Sequence, residues 1–337
     1  MGEHRNDEAL RQAVLSGIAR DRTPGLSFTG HFLDVAWPRV GKEGATVALS
    51  PRSQCTDERG DIELTALLMA LDNALATPTR LFIRPGERIA TAHLHAQFTG
   101  APLAGDLAID TTFEGLTRGD ATGQLLARGS ASAGGAAVCH GSGVFVRLPP
   151  PPGARDMAPL PWQVVAQPAP PPLQERDLDA RERVILAACD AALAAGATGG
   201  ASFLRRFWDI LPAARHGGAY CRTTTGPHMA NRVGHVQGGI LLGIAAETAR
   251  AAVPRHSVLS NISAWFLSPG RDAHLECRAS IVHEGRSFAV VRSEITGAGG
   301  VRVFEAMTAH AAPKLNEGAS SPRAHADKNS HPLENRS

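Results

Sequence analysis

Four short blocks recur in the same order in the two halves of this chain, and two copies of one unit must fold alike. His31-Phe32-Leu33-Asp34-Val35 precedes Gly44 to Leu49, and Arg206-Phe207-Trp208-Asp209-Ile210 precedes Gly218 to Thr223, displaced by 175 and 174 positions. Gly60-Asp61-Ile62-Glu63 leads into the apolar run Leu64 to Leu71 as Gly234-His235-Val236-Gln237 leads into Gly238 to Ala246, again 174 apart. Phe113-Glu114-Gly115 is read as the counterpart of His283-Glu284-Gly285, 170 positions on.

Each copy reads as a strand, a glycine-containing loop, one long apolar helix and several further strands. The helices, Leu64 to Ala76 and Ile240 to Ala252, are too apolar all round to lie on a surface. The runs 88–98, 106–113, 124–132 and 141–147, and then 258–267, 274–283, 287–296 and 301–311, carry β-formers between glycine-rich turns. A buried helix wrapped by a curved, largely antiparallel sheet is an α+β arrangement. The predicted organisation is an N-terminal extension (1–24, a short amphipathic helix or a frayed end), a first repeat (25–148), a connector (149–202), a second repeat (203–313) and a disordered tail (314–337). Pro149 to Pro152, Pro159, Pro161, Pro168 and Pro170 to Pro172 make the start of the connector extended, and residues 177–195 read as a helix packed on one repeat.

Charge narrows the partners. The 34 Lys and Arg against 32 Asp and Glu leave a formal charge of +2, without the concentrated surplus of a nucleic-acid binder. Five cysteines stand singly, with no C-x-x-C pair or neighbouring His at ligand spacing, so neither a structural metal nor a disulfide scaffold is expected. No apolar run is long enough to span a membrane and the first residues lack a secretory pattern, which makes the cytoplasm the expected compartment.

The stretch Asn231-Arg-Val-Gly-His-Val-Gln-Gly-Gly-Ile-Leu-Leu-Gly-Ile-Ala-Ala-Glu-Thr-Ala249 resembles the hotdog-fold acyl-CoA thioesterases of the PaaI-like group, as do Ser268-Pro269-Gly270 and Gly285-Arg286. With the repeat, the resemblance implies a double hotdog. It implies an acyl or aryl-acyl thioester of coenzyme A as substrate, no cofactor beyond the coenzyme A carried by that substrate, and room for a homo-oligomer of double chains.

In that family a carboxylate follows the His position at the helix entry by nine residues. Here Gln237 occupies the His position and Ala246 the acid position; in the first half the corresponding residues are Glu63 and Asp72, and the Gly-Gly entry is replaced by Leu64. The losses are complementary, so the resemblance implies one composite site. Asp72 would be nucleophile or general base, Gly238 the oxyanion donor, and Asn231 and Gln237 would position substrate or water. Gly239, Thr91 and Arg286 would contact substrate, and Ala246 with Asp57, Glu63 and Leu64 would form a dead twin. Physical chemistry supports the pairing: unpaired N–H groups at a helix start carry partial positive charge, and glycine lets a carbonyl approach them.

Other readings remain open at this level. Glu247 could replace the missing acid or pair with Arg250. Arg80, Arg84, Arg88 and Arg286 are candidates for coenzyme A phosphates or a solvated face. His235 reads as a surface or hydrogen-bonding histidine. A non-catalytic acyl-CoA binder is one rival function; an enoyl or hydroxyacyl thioester (de)hydratase centred on His31 is another.

Overall fold

The structure, a computed structural model, describes residues 2–23, 25–84, 86–117, 123–149, 159–163, 168–196 and 200–313. The first repeat holds α1 (Gly2–Asp21), α2 (Phe28–Phe32), β1 (Ala36–Gly41), β2 (Gly44–Leu49), α3 (Leu64–Thr79), β3 (Arg88–Phe98), β4 (Leu107–Leu116), β5 (Leu125–Ala133) and β6 (Ala136–Leu148). After the connecting helix α4 (Ala180–Ala194) come α5 (Phe203–Phe207), β7 (Ala213–Arg215), β8 (Gly218–Thr224), α6 (Gly238–Ala252), β9 (Val258–Phe266), β10 (His274–Glu284), β11 (Phe288–Thr296) and β12 (Arg302–Ala311).

All the strands join one antiparallel 12-stranded sheet in the order β1-β2-β4-β5-β6-β3-β9-β12-β11-β10-β8-β7, which reads as the same repeat from either end. The halves meet where β3 pairs with β9, His95 opposite Ser263. Across that junction α3 and α6 pack antiparallel at very short range. A Cβ added to Gly239 would stand 2.2 Å from the Met69 Cα, and one added to Gly243 would stand 2.2 Å from the Thr65 side chain. The glycines let the backbones approach, and Leu67, Leu68, Leu71, Leu75, Ile240, Leu242 and Ile244 are fully buried around them.

The repeat extends to backbone detail. Asp34 (φ 58°) and Asp209 (φ 48°) are the only non-glycine residues at positive φ among the described residues, and they are repeat partners. The loops before the helices each contain a left-handed glycine, Gly60 and Gly234, and an equivalent isolated bridge, Thr56 with Ile62 and Ala230 with Val236. Phe28, Phe32, Phe203 and Phe207 from α2 and α5 stack together, the Phe32 and Phe207 rings 5.1 Å apart.

One block is corrected. Ala45 pairs with Thr111 and its repeat partner Ala219 with Ala279, so Thr111 corresponds to Ala279, 168 positions on. Phe113-Glu114-Gly115 therefore matches Ile281-Val282-His283, not His283-Glu284-Gly285. The shared Glu-Gly is coincidental: the first repeat has six more residues between its helix and β3, a difference in the segment after Thr79.

The ends of the repeats are also tied down. α1 buries Leu10, Val14, Leu15 and Ile18 and is bridged to α4 by Arg181 to Asp21 at 2.8 Å. α4 starts with a capping box between Asp179 and Glu182. The connector is more than a spacer, because Leu160 is buried and the Trp162 ring lies 5.4 Å from that of Trp37. The predicted tail, 314–337, lies outside the described residues. Among the described residues no helix is long and apolar enough to cross a membrane.

Candidate active site

A cavity of about 520 Å³ opens where the halves meet. The first half contributes Asp72, Asn73 and Ala76 from α3, Arg80 from the 3-10 turn that follows it and Thr91 from β3; the second contributes Arg232, His235, Gln237, Gly238 and Phe266. Asp72 is buried on the face of α3 that meets the start of α6. Its Oδ1 accepts a hydrogen bond from Thr91 Oγ1 at 2.9 Å and its Oδ2 one from Gln237 Nε2 at 3.1 Å. Burial pushes the Asp72 carboxyl up to about 6, opposed by the Thr91 hydrogen bond, the Arg80 charge, the Gly239 N–H and Gln237. A carboxylate tuned to that range can accept a proton near neutral pH.

Gln237 is held from both ends of its amide. Its Oε1 accepts from the Ile240 N–H at 3.2 Å, capping α6, which turns its Nε2 toward Asp72. Glu63, its repeat partner, has no such donor. Gly238 follows at the first turn, where an added Cβ would stand 2.7 Å from Asp72 Oδ2, so only glycine admits the carboxylate here. Its N–H has no acceptor among the described residues, and Gly238 lines the cavity.

The remaining candidates divide. Thr91 is brought onto Asp72. Asn231 lines the cavity, but its Oδ1 accepts from the N–H groups of Val233 at 3.0 Å and His235 at 3.1 Å, shaping the loop as Asp57 does in the other half. Gly239 faces the Met69 backbone rather than open space, so its lack of a side chain serves helix packing. Arg286 is misplaced as a substrate contact. It is exposed in the β10–β11 turn beside Phe288, which pairs with Ala311, itself opposite Val258; the cavity lies at the other end of β9. Arg80, Arg88 and His235 line the cavity, and Arg84 does not. His31 sits in a separate surface pocket with Arg20, Asp34 and Arg52.

The twin position is filled rather than empty. Ala246 stands for Asp72, and the cavity-lining Gly30, Asn73 and Ala76 become Arg205, Glu247 and Arg250. Glu247 is buried and paired with Arg250 at 2.5 Å and Arg205 at 3.5 Å. Glu63 lies against this cluster, its carboxyl pushed up by burial. Glu247 is thus fixed by two guanidinium groups away from the cavity.

Residues 227–311 match the family model described as the acyl-CoA thioesterase N-terminal domain. The described residues as a whole form a double hotdog, one buried helix per six strands, repeated. The chain is similar to a Bacillus halodurans protein solved with CoA (24% identity, 41% of this chain and 97% of that one, TM-score 0.38). It is similar also to the tesB protein of Mycobacterium avium subsp. paratuberculosis (12%, 82% and 95%, TM-score 0.46) and acyl-CoA thioesterase II TesB2 of Mycobacterium marinum (14%, 85% and 96%, TM-score 0.45). No curated protein matches the chain.

Sequence reasoning missed several wall residues of the cavity. Trp37 and Trp162 close one side of the cavity, with Trp37 Nε1 donating to Thr77 Oγ1 at 2.9 Å, and Arg232 lines the other. Leu160 and Trp162, apolar residues in a proline-rich run, were the available signal.

Proposed function

We propose that the chain hydrolyses an acyl-CoA to free acid and CoA at one composite site per chain, with Asp72 as general base and the Gly238 N–H as oxyanion donor. The observation that carries the reading is Asp72 of α3, buried and hydrogen-bonded to Gln237 at the start of α6 from the other half. Ionised Asp72 takes a proton from water, the water oxygen attacks the thioester carbonyl, and the Gly238 N–H holds the oxyanion until the CoA thiolate leaves. Thr91 and Gln237 hold the carboxylate in place. The Asn231 loop, the Gly-Gly entry and an acid nine residues after the helix-entry position support a PaaI-type site, with Gln237 supplying a donor where that group has His. Water is the only co-reactant this chemistry needs. The five buried free thiols fit a reducing compartment such as the cytoplasm.

The test is a screen of acyl-CoAs with detection of released thiol. Wild-type turnover should fall by about 10³-fold in Asp72→Asn, within the usual reach of general-base catalysis. Unchanged turnover in that variant would refute the assignment. Single turnover in ¹⁸O-water separates the roles: label should enter the product acid and not the Asp72 carboxyl.

A further inference from the structure

We propose that Arg80 and Trp162 form an anion-accepting subsite in the Asp72 cavity, and that the acyl group hydrolysed here carries a carboxylate at its far end. This rests on the thioesterase reading and names the class of acyl group. Asp72 and Ala76 on α3 and Arg80 at its C-cap, still helical in φ and ψ, recur every four residues on one face, and all three line the cavity. Arg80 therefore starts about 12 Å along the helix from Asp72, at 1.5 Å per residue, and its side chain can reach back.

Arg80 has neither a hydrogen-bond nor an ion-pair partner for its guanidinium among the described residues. Burial and the neighbouring Arg232 charge pull its pKa down to about 10, with only Asp72 opposing them. Among the described residues Asp72 is also the only acid lining the cavity, where Arg80 and Arg88 stand as well. Among the described residues the buried indole N–H of Trp162 has no acceptor, whereas that of Trp37 beside it is satisfied by Thr77. Thr77 precedes Arg80 by less than one turn of α3, so the Trp37–Trp162 pair and Arg80 share one wall. Guanidinium and indole are donors only, so an acyl group with an apolar end would leave the enclosed Trp162 N–H unmet and the half-buried Arg80 facing no anion. A carboxylate satisfies both.

The coenzyme A phosphates fit this wall poorly. Arg80 is within electrostatic reach of Asp72, where the thioester must sit, and the pantetheine arm holds the pyrophosphate far from the sulfur. Arg88 and Arg271, which together with burial lower the pKa of His235 between them, are a separate pair of cations for phosphate. The subsite is also absent from the decayed twin: the second repeat is six residues shorter in the segment after Thr79 where Arg80 stands, no Arg or Lys occurs from Ala251 to Pro254, and Trp162 lies in the connector between the repeats.

The test compares kcat/KM for an ω-carboxyacyl-CoA and the methyl-ended acyl-CoA of equal length, and for both acyl groups on pantetheine, which lacks the phosphates. Wild-type protein should prefer the carboxyacyl ester by about tenfold or more on either thiol, the range of a charge-assisted pair. Arg80→Met should bring the ratio to about one, Arg80→Lys should restore part of it, and Trp162→Phe should cut it about threefold. A ratio indifferent to Arg80→Met overturns the subsite. So does an Arg80→Met loss that is equal for both acyl groups on CoA and absent on pantetheine, because that places a phosphate at Arg80. If wild-type protein turns over no thioester, the thioesterase reading has failed by itself, and calorimetric binding of the two CoA esters decides: tighter carboxyacyl binding lost in Arg80→Met upholds the subsite, and equal affinities sink it.

Discussion

Asp72 couples rate and stability in opposite directions. As a base it must be ionised, so kcat/KM should rise about tenfold per pH unit below its pKa of about 6 and level off above it. Thr91 donates to the charged form; Thr91→Val removes that support, raises the pKa and should move the acid limb of the profile to higher pH. An acid limb that stays put, or moves down, would contradict the assignment. Because folding raises this carboxyl from 3.8 to about 6, its proton is held more tightly in the folded chain. The contribution is favourable below the unfolded value and is lost as pH climbs through about 6, a change of roughly 3 kcal/mol at most. Asp72→Asn should therefore raise the melting temperature at pH 8 and lose that advantage near pH 4, as read by calorimetry. Asp72 was singled out by the resemblance, which implies a carboxylate nine residues after the helix-entry position, and by the repeat, which carries that position into the first half; it lies on the cavity beside Gln237. Arg286 was misread because closeness to a motif in sequence does not say at which end of a strand a turn emerges. Trp162 was missed because one aromatic contact across a connector leaves no periodic trace.

The elements themselves were largely written in the pattern. The eight strand runs that follow the helices and both central helices occur within a few residues of their predicted positions, since alternation and all-apolar composition report directly on burial. The close crossing of α3 and α6 was less visible: a glycine inside a helix signals proximity only once its neighbour is known. Gly239→Ala would press a methyl against the Met69 backbone, which cannot move as a side chain can. It should destabilise by about 2 kcal/mol or more, seen as a lower denaturant midpoint with little change in slope. Gly234→Ala, in the left-handed loop with open space around it, should cost only about 1 kcal/mol. If the two substitutions cost the same, helix contact is not what Gly239 serves.

At the scale of the molecule, the halves share one scaffold and have divided its chemistry. One cavity keeps the acid, the donor and the space; the other is occupied by Arg205, Glu247 and Arg250. Glu247→Gln should leave turnover within about threefold while costing about 1–2 kcal/mol, because it removes the charge facing the mostly buried Arg205 while Arg250 keeps much of its solvent. Loss of turnover without loss of stability would move the catalyst to Glu247. A tight-binding thioester analogue should titrate at one equivalent per chain; two equivalents would mean that the twin is open. The β3–β9 pairing has one more consequence. Where a hotdog site is shared by separate chains, dilution pulls it apart, but here the two contributors are tethered and their effective concentration does not fall with the bulk. Specific activity should stay flat as the enzyme is diluted toward the picomolar range.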